Sequence, residues 1–361
     1  MRVAILSAAS CIHTTRWANG LAIKGIDVHL ISAHNLSHEL DARVKYYPLK
    51  IKAPLGYAFC IFELRKLLEK IQPDILNTHY ATGYGVLSRL AGFRPTLLSV
   101  WGSDVYDFPE KSSIHRWLLK GNLKYATAIG STSNCMSRKT KMTFDHKNIF
   151  ITPFGIDEYI FKPQDKPSYL NDKTVVGTIK TLENKYGIDL LIQAFARVWH
   201  ELGKPTGLVL EITGGGEDLH KLQGLAATLG IHEVTTFHGK VSHERVAEMI
   251  NRLDIYMALS RLESFGVAVL EASACEKPVI VSNAEGLAEV TLDEKMGFIV
   301  PKENIEAAAQ ALMTLIMDEN LRVKMGKEGR RHVLKHYTWE HSLNLMIEAY
   351  NKTANMKQLP N

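Results

Sequence analysis

The feature that most constrains the fold of this chain is a repeated alternation of short β-branched apolar runs with longer amphipathic segments. In the first half the apolar runs are residues 2–7, 27–32, 74–78, 96–100, 126–129 and 149–152. Segments between them, such as 16–24, 58–71 and 113–123, carry apolar residues at helical spacing. Short continuous apolar runs are typical of buried parallel strands, so the first half predicts a doubly wound α/β sheet.

The alternation stops at a polar segment with two prolines, residues 161–167, and then starts again. The second series of apolar runs is 174–178, 208–213, 234–237, 255–260, 279–282 and 297–300, and helical patterns follow from residue 305 onward. A chain of 361 residues is long enough for two domains. We expect Rossmann-like domains over 1–165 and 166–338, with a helix over 339–361 crossing back onto the first. Ligands would bind between them, at the carboxyl ends of the strands.

Charge and cysteine content narrow the class of function. The net charge is +5, and the first 160 residues carry 20 Lys and Arg against 12 Asp and Glu. This excess favours an anionic partner such as a membrane surface or a lipid phosphate, or else a basic soluble face. Scattered basic residues without a recognition motif disfavour nucleic acid. The four cysteines contain no CxxC pair, and no run is long enough for a spanning helix or a signal peptide, so we expect a cytoplasmic protein.

The segment 260–272, SRLESFGVAVLEA, follows a predicted strand and opens a predicted helix. Glu263 and Glu271 are eight positions apart, about 12 Å along a helix, so they would contact different parts of one elongated ligand rather than share a proton. Gly266 permits a tight turn, and the N–H groups of Gly266 and Val267 would face a phosphate at a helix N-terminus. A nucleoside diphosphate fits this pattern. Two solvated glutamates on a capped helix are the alternative.

These residues resemble the E-x7-E motif of the retaining glycosyltransferases of family 4, also called group 1, which have the GT-B fold. Further segments resemble family landmarks in the same order: Pro153–Asp157 with Phe161, Val176–Gly177 with Lys185, Gly187 and Asp189, Gly214–Glu217, Phe237–Val241, Pro278–Ile280 and Gly297–Val300. The resemblance covers nearly the whole chain. It implies an α/β GT-B architecture, in which two doubly wound parallel-sheet domains face each other across a cleft and the second one binds the nucleotide-sugar donor.

The resemblance also implies roles in the second domain. Glu271 would bind the ribose hydroxyls, and Glu263 would contact the donor sugar. A basic pair would neutralise the leaving diphosphate, and Lys185 matches its second member. The usual arginine falls near Thr178, where this chain has no charge, and Lys180 would supply that cation instead; a solvated surface charge is the alternative for either lysine. The remaining nucleotide-binding candidates are Phe265, Gly266, Val267, Gly239, Lys240 and Gly214.

The loop after the first strand departs from the family. Many members have a glycine-rich loop there, whereas this chain has the polar residues His13, Thr14 and Arg16. These three would bind an acceptor or a phosphate. Thr14 has a second interpretation, as the cap of the following helix.

A second departure concerns the histidine that many family members carry after the fourth strand. This chain has Trp101 at that position, so His79 at the end of the neighbouring strand is the imidazole candidate, with a structural role as the alternative. Trp101 would stack on a sugar ring, and packing in the protein interior is its alternative role. Asp104 would accept a hydrogen bond from an acceptor hydroxyl, and capping of a local turn is its alternative role.

Two further features bear on cofactors and partners. The chain has no Asp-x-Asp, so a metal bridging the donor phosphates is not expected, and no other cofactor is indicated. The segment Lys111–Lys124 has the pattern of a short basic amphipathic helix. Peripheral contact with the inner face of a membrane is one hypothesis for it, and packing of its apolar stripe is the favoured alternative.

Together these observations predict a metal-independent retaining glycosyltransferase of the hexosyltransferase type. It would move a sugar from a nucleoside-diphosphate sugar to a glycan or lipid-linked acceptor in polysaccharide or cell-surface glycan biosynthesis. Two alternatives stay open. A sugar-nucleotide 2-epimerase has the same fold and needs no acceptor. A non-catalytic sugar-nucleotide-binding subunit would agree with Trp101 and with the missing arginine near Thr178.

Overall fold

The computed structural model describes residues 1–356, in two compact units. One unit contains residues 1–153 and the C-terminal segment from Glu340, and the other contains Phe154–Trp339. The boundary therefore precedes the segment 161–167 at which the sequence predicts a linker. The reason is that residues 154–161 pack on the second unit: the N–H of Ile156 donates to the carbonyl of Tyr337 (2.8 Å), and Phe161 is buried.

The first unit contains a seven-stranded parallel sheet in the order β3-β2-β1-β4-β5-β6-β7. Its strands are β1 (Arg2–Leu6), β2 (Asp27–Ser32), β3 (Lys45–Pro48), β4 (Ile75–His79), β5 (Thr96–Val100), β6 (Ala128–Ser131) and β7 (Ile149–Ile151). The sequence pattern missed β3, because this edge strand reads KYYP and none of its residues is buried. An edge strand is solvated on one side and lacks the continuous apolar run of a central strand.

Residues 1–153 of this unit, all of which the structure describes, contain seven α-helices. They are α1 (Ile12–Ile23), α2 (Gly56–Phe59), α3 (Ile61–Ile71), α4 (Gly83–Ala91), α5 (Ser103–Tyr106), α6 (Ser113–Tyr125) and α7 (Asn134–Thr143). Helices α3 and α4 bury apolar side chains such as Leu64, Leu68 and Leu87 against the sheet. The predicted helix 58–71 is interrupted at Cys60, between α2 and α3.

The second unit contains a six-stranded parallel sheet in the order β10-β9-β8-β11-β12-β13. Its strands are β8 (Thr174–Ile179), β9 (Leu208–Thr213), β10 (Thr235–Gly239), β11 (Ile255–Ala258), β12 (Val279–Ser282) and β13 (Gly297–Val300). Its helices are α8 (Ile188–Glu201), α9 (Leu219–Thr228), α10 (His243–Asn251), α11 (Val267–Ala274), α12 (Glu285–Val290), α13 (Ile305–Met317) and α14 (Glu319–His336). The strand pattern of the sequence matches all six strands to within a few residues.

The last helix, α15 (Trp339–Asn355), packs on the first unit. The buried hydroxyl of Tyr350 donates a hydrogen bond to Asn77 Oδ1 (2.8 Å), and Glu340 forms an ion pair with Lys24. The sequence predicts a helix over 339–361, of which residues 357–361 lie outside the described residues. Within residues 1–356, none of the helices combines the length and the apolar character needed to cross a bilayer.

Each sheet changes winding direction at one place, and this positions the candidate sites. In the first sheet the change lies between β1 and β4, and in the second between β8 and β11. Ligands of open α/β sheets bind outside the carboxyl ends of the strands at such points. The loops after β8 and β11 contain Lys180 and Glu263, and His79 ends β4.

Candidate functional site

In the second unit, the loops after β8 and β11 are joined by a pair of opposite charges. Lys180 Nζ lies 2.5 Å from Glu263 Oε2, and both side chains are mostly buried. Burial opposes the charge on Lys180, but the attraction of Glu263, with a smaller effect of Tyr256, outweighs it and raises the pKa of the lysine. Lys180 is therefore a fixed cation at the point where the sheet changes direction.

The second predicted cation, Lys185, lies against the same aromatic ring as the first. Lys180 Nζ is 4.4 Å and Lys185 Nζ is 5.0 Å from the centroid of the Tyr186 ring. Lys185 also forms an ion pair of 2.8 Å with Glu183. The structure thus brings together the two lysines that the sequence analysis assigned to a diphosphate, with Tyr186 as a cation–π contact that the sequence did not indicate.

A cavity of about 290 Å³ opens beside Lys180. Three of its lining residues are predicted site residues: Lys180, Gly214 and Lys240. The others are Ile179, Thr181, Thr213, Gly215, Val241 and Val246. A lining that combines two lysines with branched aliphatic side chains suits a ligand that combines an anionic group with an apolar one.

The glycine turn after β9 allows two strand-end loops to approach closely. Gly214 has φ of +148°, and a Cβ there would lie 1.8 Å from the carbonyl oxygen of Lys180. The N–H of Gly214 donates to the carbonyl of Gly239 (2.9 Å), which itself has φ of +69°. Any larger residue at position 214 would therefore displace Lys180.

The loop that leads into α11 is anchored by a buried aromatic residue. The Phe265 ring packs at 6.3 Å from Phe154 and 6.0 Å from Tyr337, measured between centroids, and only 4% of the residue is exposed. Its side chain is therefore a packing residue of the loop. Gly266 has φ of +104° and directly precedes α11, and Glu271 lies almost buried within that helix.

Arg261 is a functional candidate that the sequence analysis missed. Its guanidinium forms two hydrogen bonds of 2.8 Å with the carboxylate of Asp189, and its backbone N–H donates to the carbonyl of Lys185 (2.8 Å). These contacts tie the loop after β11 to the segment that carries Lys185. The hydrogen bonds that Arg261 donates to the Asp189 carboxylate raise the pKa of the guanidinium. The signal in the sequence was a strand-end arginine together with an aspartate at the start of α8.

In the first unit, His79 is buried and both of its ring nitrogens have partners. Asn77 Nδ2 donates to the carbonyl of Leu97 (3.0 Å), so Asn77 Oδ1 is an acceptor and receives the Nε2–H of His79 (2.9 Å). The Nδ1 atom then accepts from the hydroxyl of Ser7 (3.1 Å). Burial lowers the pKa of His79 to about 3. This geometry favours the structural role over an acid or base that touches substrate.

Two of the predicted acceptor-binding residues are also sealed inside the first unit. Thr14 is fully buried in α1, its hydroxyl lies 2.7 Å from the Ser7 hydroxyl, and its side chain does not cap the helix. Asp104 is fully buried and accepts backbone N–H groups from Ala81 (2.9 Å), Trp101 (3.1 Å) and Gly102 (2.9 Å). This geometry favours the capping alternative for Asp104, because its carboxylate accepts the N–H groups of a turn and is fully buried.

The other three candidates of the first unit lie near one another or on the same helix. The Trp101 ring packs at 4.4 Å from His79, 5.3 Å from Tyr80 and 6.1 Å from His13, measured between centroids. Arg16 is half-buried on α1, one turn after His13. These positions agree with the acceptor region expected at the carboxyl end of β4.

Among residues 1–356, no cluster of three His, Cys, Asp or Glu side chains has the arrangement of a metal site. The expectation of a metal-independent reaction stays a prediction.

Two family models match the chain. The model "Glycosyl transferases group 1" matches residues 161–332, which contain the Lys180, Lys185, Glu263 and Glu271 positions. The model "Glycosyl transferase 4-like" matches residues 2–133. Together they cover most of the chain.

Individual glycosyltransferases and one solved structure are also similar to this chain. The chain is 24% identical over 348 residues to N-acetyl-alpha-D-glucosaminyl L-malate synthase of Bacillus anthracis, covering 90% of this chain and 89% of that protein. It is 27% identical to a GDP-mannose-dependent alpha-(1-6)-phosphatidylinositol monomannoside mannosyltransferase of Mycobacterium tuberculosis, with coverage of 70% and 68%. The sucrose-phosphate synthase of Thermosynechococcus elongatus superposes with a TM-score of 0.84 over 98% of both chains at 19% identity. The chain therefore has the GT-B fold and belongs to the group 1 glycosyltransferases.

Proposed function

We propose that this glycosyltransferase uses a nucleoside-diphosphate sugar as donor and transfers the sugar, with retention of configuration and without a metal, to a hydroxyl group of a glycan or lipid-linked acceptor. The observation that carries the proposal is the pair of lysines around Tyr186, beside a cavity at the point where the second sheet changes direction. Two cations at one strand end suit a diphosphate better than a neutral ligand.

The chemistry assigned to the lysines is stabilisation of the leaving group. As the bond between the anomeric carbon and the phosphate oxygen breaks, the departing nucleoside diphosphate gains negative charge. Lys180 and Lys185 would stabilise that charge in the transition state, which is where binding energy accelerates a reaction. Lys180 is already held in place by Glu263, so little reorganisation is needed when the donor binds.

The remaining residues are assigned to different parts of the donor. Glu271, almost buried in α11, is assigned to the ribose, and Glu263 to the sugar. The N–H groups at the start of α11 would add donors for the diphosphate. The wall formed by Val241 and Val246, next to Lys240, offers an apolar face for the base.

The proposal for the acceptor rests on two relatives and on the charge of the first half of the chain. The names of the two relatives describe one enzyme whose product contains L-malate and another that acts on a phosphatidylinositol mannoside. Both acceptor classes carry negative charge, which agrees with the basic first half of this chain. We therefore propose a lipid-linked or glycan acceptor, used in the biosynthesis of cell-surface glycans.

The first test is thermal stabilisation of the chain by UDP-, GDP-, ADP- and TDP-sugars, because a ligand that binds only the folded state raises stability by mass action. We expect stabilisation by one nucleotide class, and loss of that stabilisation in Glu271→Ala. Absence of stabilisation by all four, checked by calorimetry, would refute a nucleotide-sugar site. Once the donor is known, NMR of the donor incubated alone separates transfer from 2-epimerisation, since only an epimerase converts the sugar without an acceptor.

A further inference from the structure

Three large apolar side chains project into solvent from the segment that connects β3 to β4. Leu55 is 63% exposed, Phe59 66% and Phe62 71%. They lie within eight residues of one another, at α2 and the beginning of α3. Isolated exposed apolar residues are ordinary, but three of this size in one short segment indicate a surface that contacts something apolar.

Lysines surround this apolar group. A cavity of about 360 Å³ beside Phe62 is lined by Lys50, Lys66 and Lys70 together with Glu63 and Leu67. Lys66 and Lys70 are one turn apart on α3, a spacing at which like charges repel. Within residues 1–356, none of the three lysines forms an ion pair, and the Glu63 carboxylate accepts the backbone N–H of Lys50 instead (3.2 Å). The lysines are therefore available to an external anion.

The position of this surface agrees with access to an acceptor. A helix that follows a strand of a parallel sheet begins at the carboxyl edge of the sheet, because the chain has just left the strand there. Phe59 and Phe62 therefore lie toward the same edge of the first sheet as the end of β4, where Trp101 and His13 lie.

We propose that this surface, formed by Leu55, Phe59, Phe62, Lys50, Lys66 and Lys70, docks the enzyme on an anionic phospholipid bilayer. The aromatic and leucine side chains would enter the headgroup region while the lysines contact lipid phosphates, the arrangement of a peripheral membrane anchor. The choice of occupant rests on charge complementarity between three unpaired lysines and an anionic surface. The inference also rests on the proposed lipid-linked acceptor, which a docked enzyme would reach at the membrane.

The sequence analysis placed a membrane contact on another helix, α6. That helix buries Leu119 and Leu123, which agrees with the alternative that its apolar stripe packs on the protein. Ile114 and Trp117 of the same helix are about two-thirds exposed. One of its cations is paired, since Arg116 interacts with Glu110 (3.4 Å). The α2–α3 surface exposes three large apolar side chains, against two on α6, and its three lysines form no ion pair within residues 1–356, so we assign docking to it.

The experiment is co-sedimentation of the full chain with vesicles of phosphatidylcholine alone and with vesicles that also contain anionic phosphatidylglycerol, each at low and high salt. We expect partition onto the anionic vesicles only, weakened by salt. Phe59→Ser with Phe62→Ser, and separately Lys50→Glu with Lys66→Glu, should each reduce the partition at least about tenfold. Trp117→Ser is the matched control, because it removes an equally exposed aromatic residue from the same unit, and it should leave partition unchanged.

Several outcomes would overturn the proposal: no partition of the natural chain, equal partition onto neutral vesicles, or loss in Trp117→Ser with retention in the Phe59 and Phe62 variant. A dimer in solution that the phenylalanine variant dissociates would assign the surface to a second copy instead. Nucleotide-dependent stabilisation, measured on the same variants, separates this test from that of the donor site. It should persist in the docking variants, whereas Glu271→Ala should lose it and still bind vesicles.

Discussion

The carboxyl-terminal strand ends of the two units look alike in topology and differ in chemistry. In the second unit, charged side chains line an open cavity, with Lys180 and Lys240 on its wall. In the first unit, the polar side chains at the end of β4 bond to one another inside the protein, from Ser7 through His79 to Asn77 and Tyr350. The same strand-end position can therefore bind a ligand or stabilise the fold, and burial with complete hydrogen bonding distinguishes the two.

The largest effect that would sharpen this comparison is expected for Lys180→Ala. Removal of a fixed cation aimed at a developing charge lowers turnover by about 10²- to 10³-fold, and the variant also leaves Glu263 without its partner. Steady-state kinetics with the donor found in the stabilisation screen measures it. Lys166→Ala is the matched control, since Lys166 and Asp254 form an equally short pair (2.5 Å) outside the cavity. Equal losses of turnover in both variants would show that Lys180 acts only through folding.

The next effect is on stability, in the first unit. Asn77→Ala removes the acceptor of both His79 and Tyr350 and two donated hydrogen bonds of its own. Buried groups left without partners should cost about 3 kcal/mol of unfolding free energy. Tyr350→Phe removes one hydroxyl and should cost about 1 kcal/mol. Urea unfolding measures both, and nucleotide-dependent stabilisation should survive in each; its loss in Asn77→Ala would mean that the buried network supports the donor site as well.

A pH series tests the protonation state of the same network. Burial lowers the pKa of folded His79 to about 3, whereas the unfolded residue titrates near 6.5. Between these values only the unfolded state binds the proton, so stability is full above about pH 6.5 and falls as the pH decreases toward 3. At about 1.4 kcal/mol per pH unit, the loss from pH 6.5 to 5 should be about 2 kcal/mol.

His79→Gln isolates this contribution, because every other titratable group of the chain remains in the variant. Unfolding of the variant should take up about one proton fewer, so its unfolding free energy should change less steeply with pH. Glu211 of the second unit does not contribute in this range. Burial opposes its charge, but Arg252 and His238 outweigh it and lower its pKa to about 2, so its effect begins below about pH 4.5. Identical slopes in the two proteins would contradict a buried neutral His79.

The extent to which the sequence predicted these regions follows from the same contrast. Periodicity identified twelve of the strands because central parallel strands are apolar on both faces, and it missed β3 at the edge. The donor-side lysines were predicted because a motif fixes their positions along the chain. The burial of Thr14 and Asp104 was not predicted, because it depends on tertiary neighbours such as Ser7 and Ala81 that a local pattern does not contain.

The smallest effect concerns two glycines of the second unit that the sequence does not distinguish. A Cβ at Gly286 would lie 2.3 Å from the backbone nitrogen of Phe265 and 2.6 Å from the carbonyl oxygen of Glu263, whereas nothing lies within 4 Å of a Cβ at Gly224. Gly286→Ala should therefore displace the loop that carries Glu263 and weaken donor binding about tenfold, or about 1.4 kcal/mol.

Gly224→Ala lies inside α9 and should instead raise the free energy of unfolding by about 0.5–1 kcal/mol, because alanine favours helix and has room there. Calorimetric titration with the donor and urea unfolding on both variants measure the two effects. If Gly286→Ala bound the donor as tightly as the natural chain, the loop before α11 would be free to shift without consequence. The assignment of Glu263 to the donor sugar would then have to be withdrawn. A displacement of the Glu263 backbone also moves its side chain, and a side chain that contacts the sugar would lose affinity when it moves.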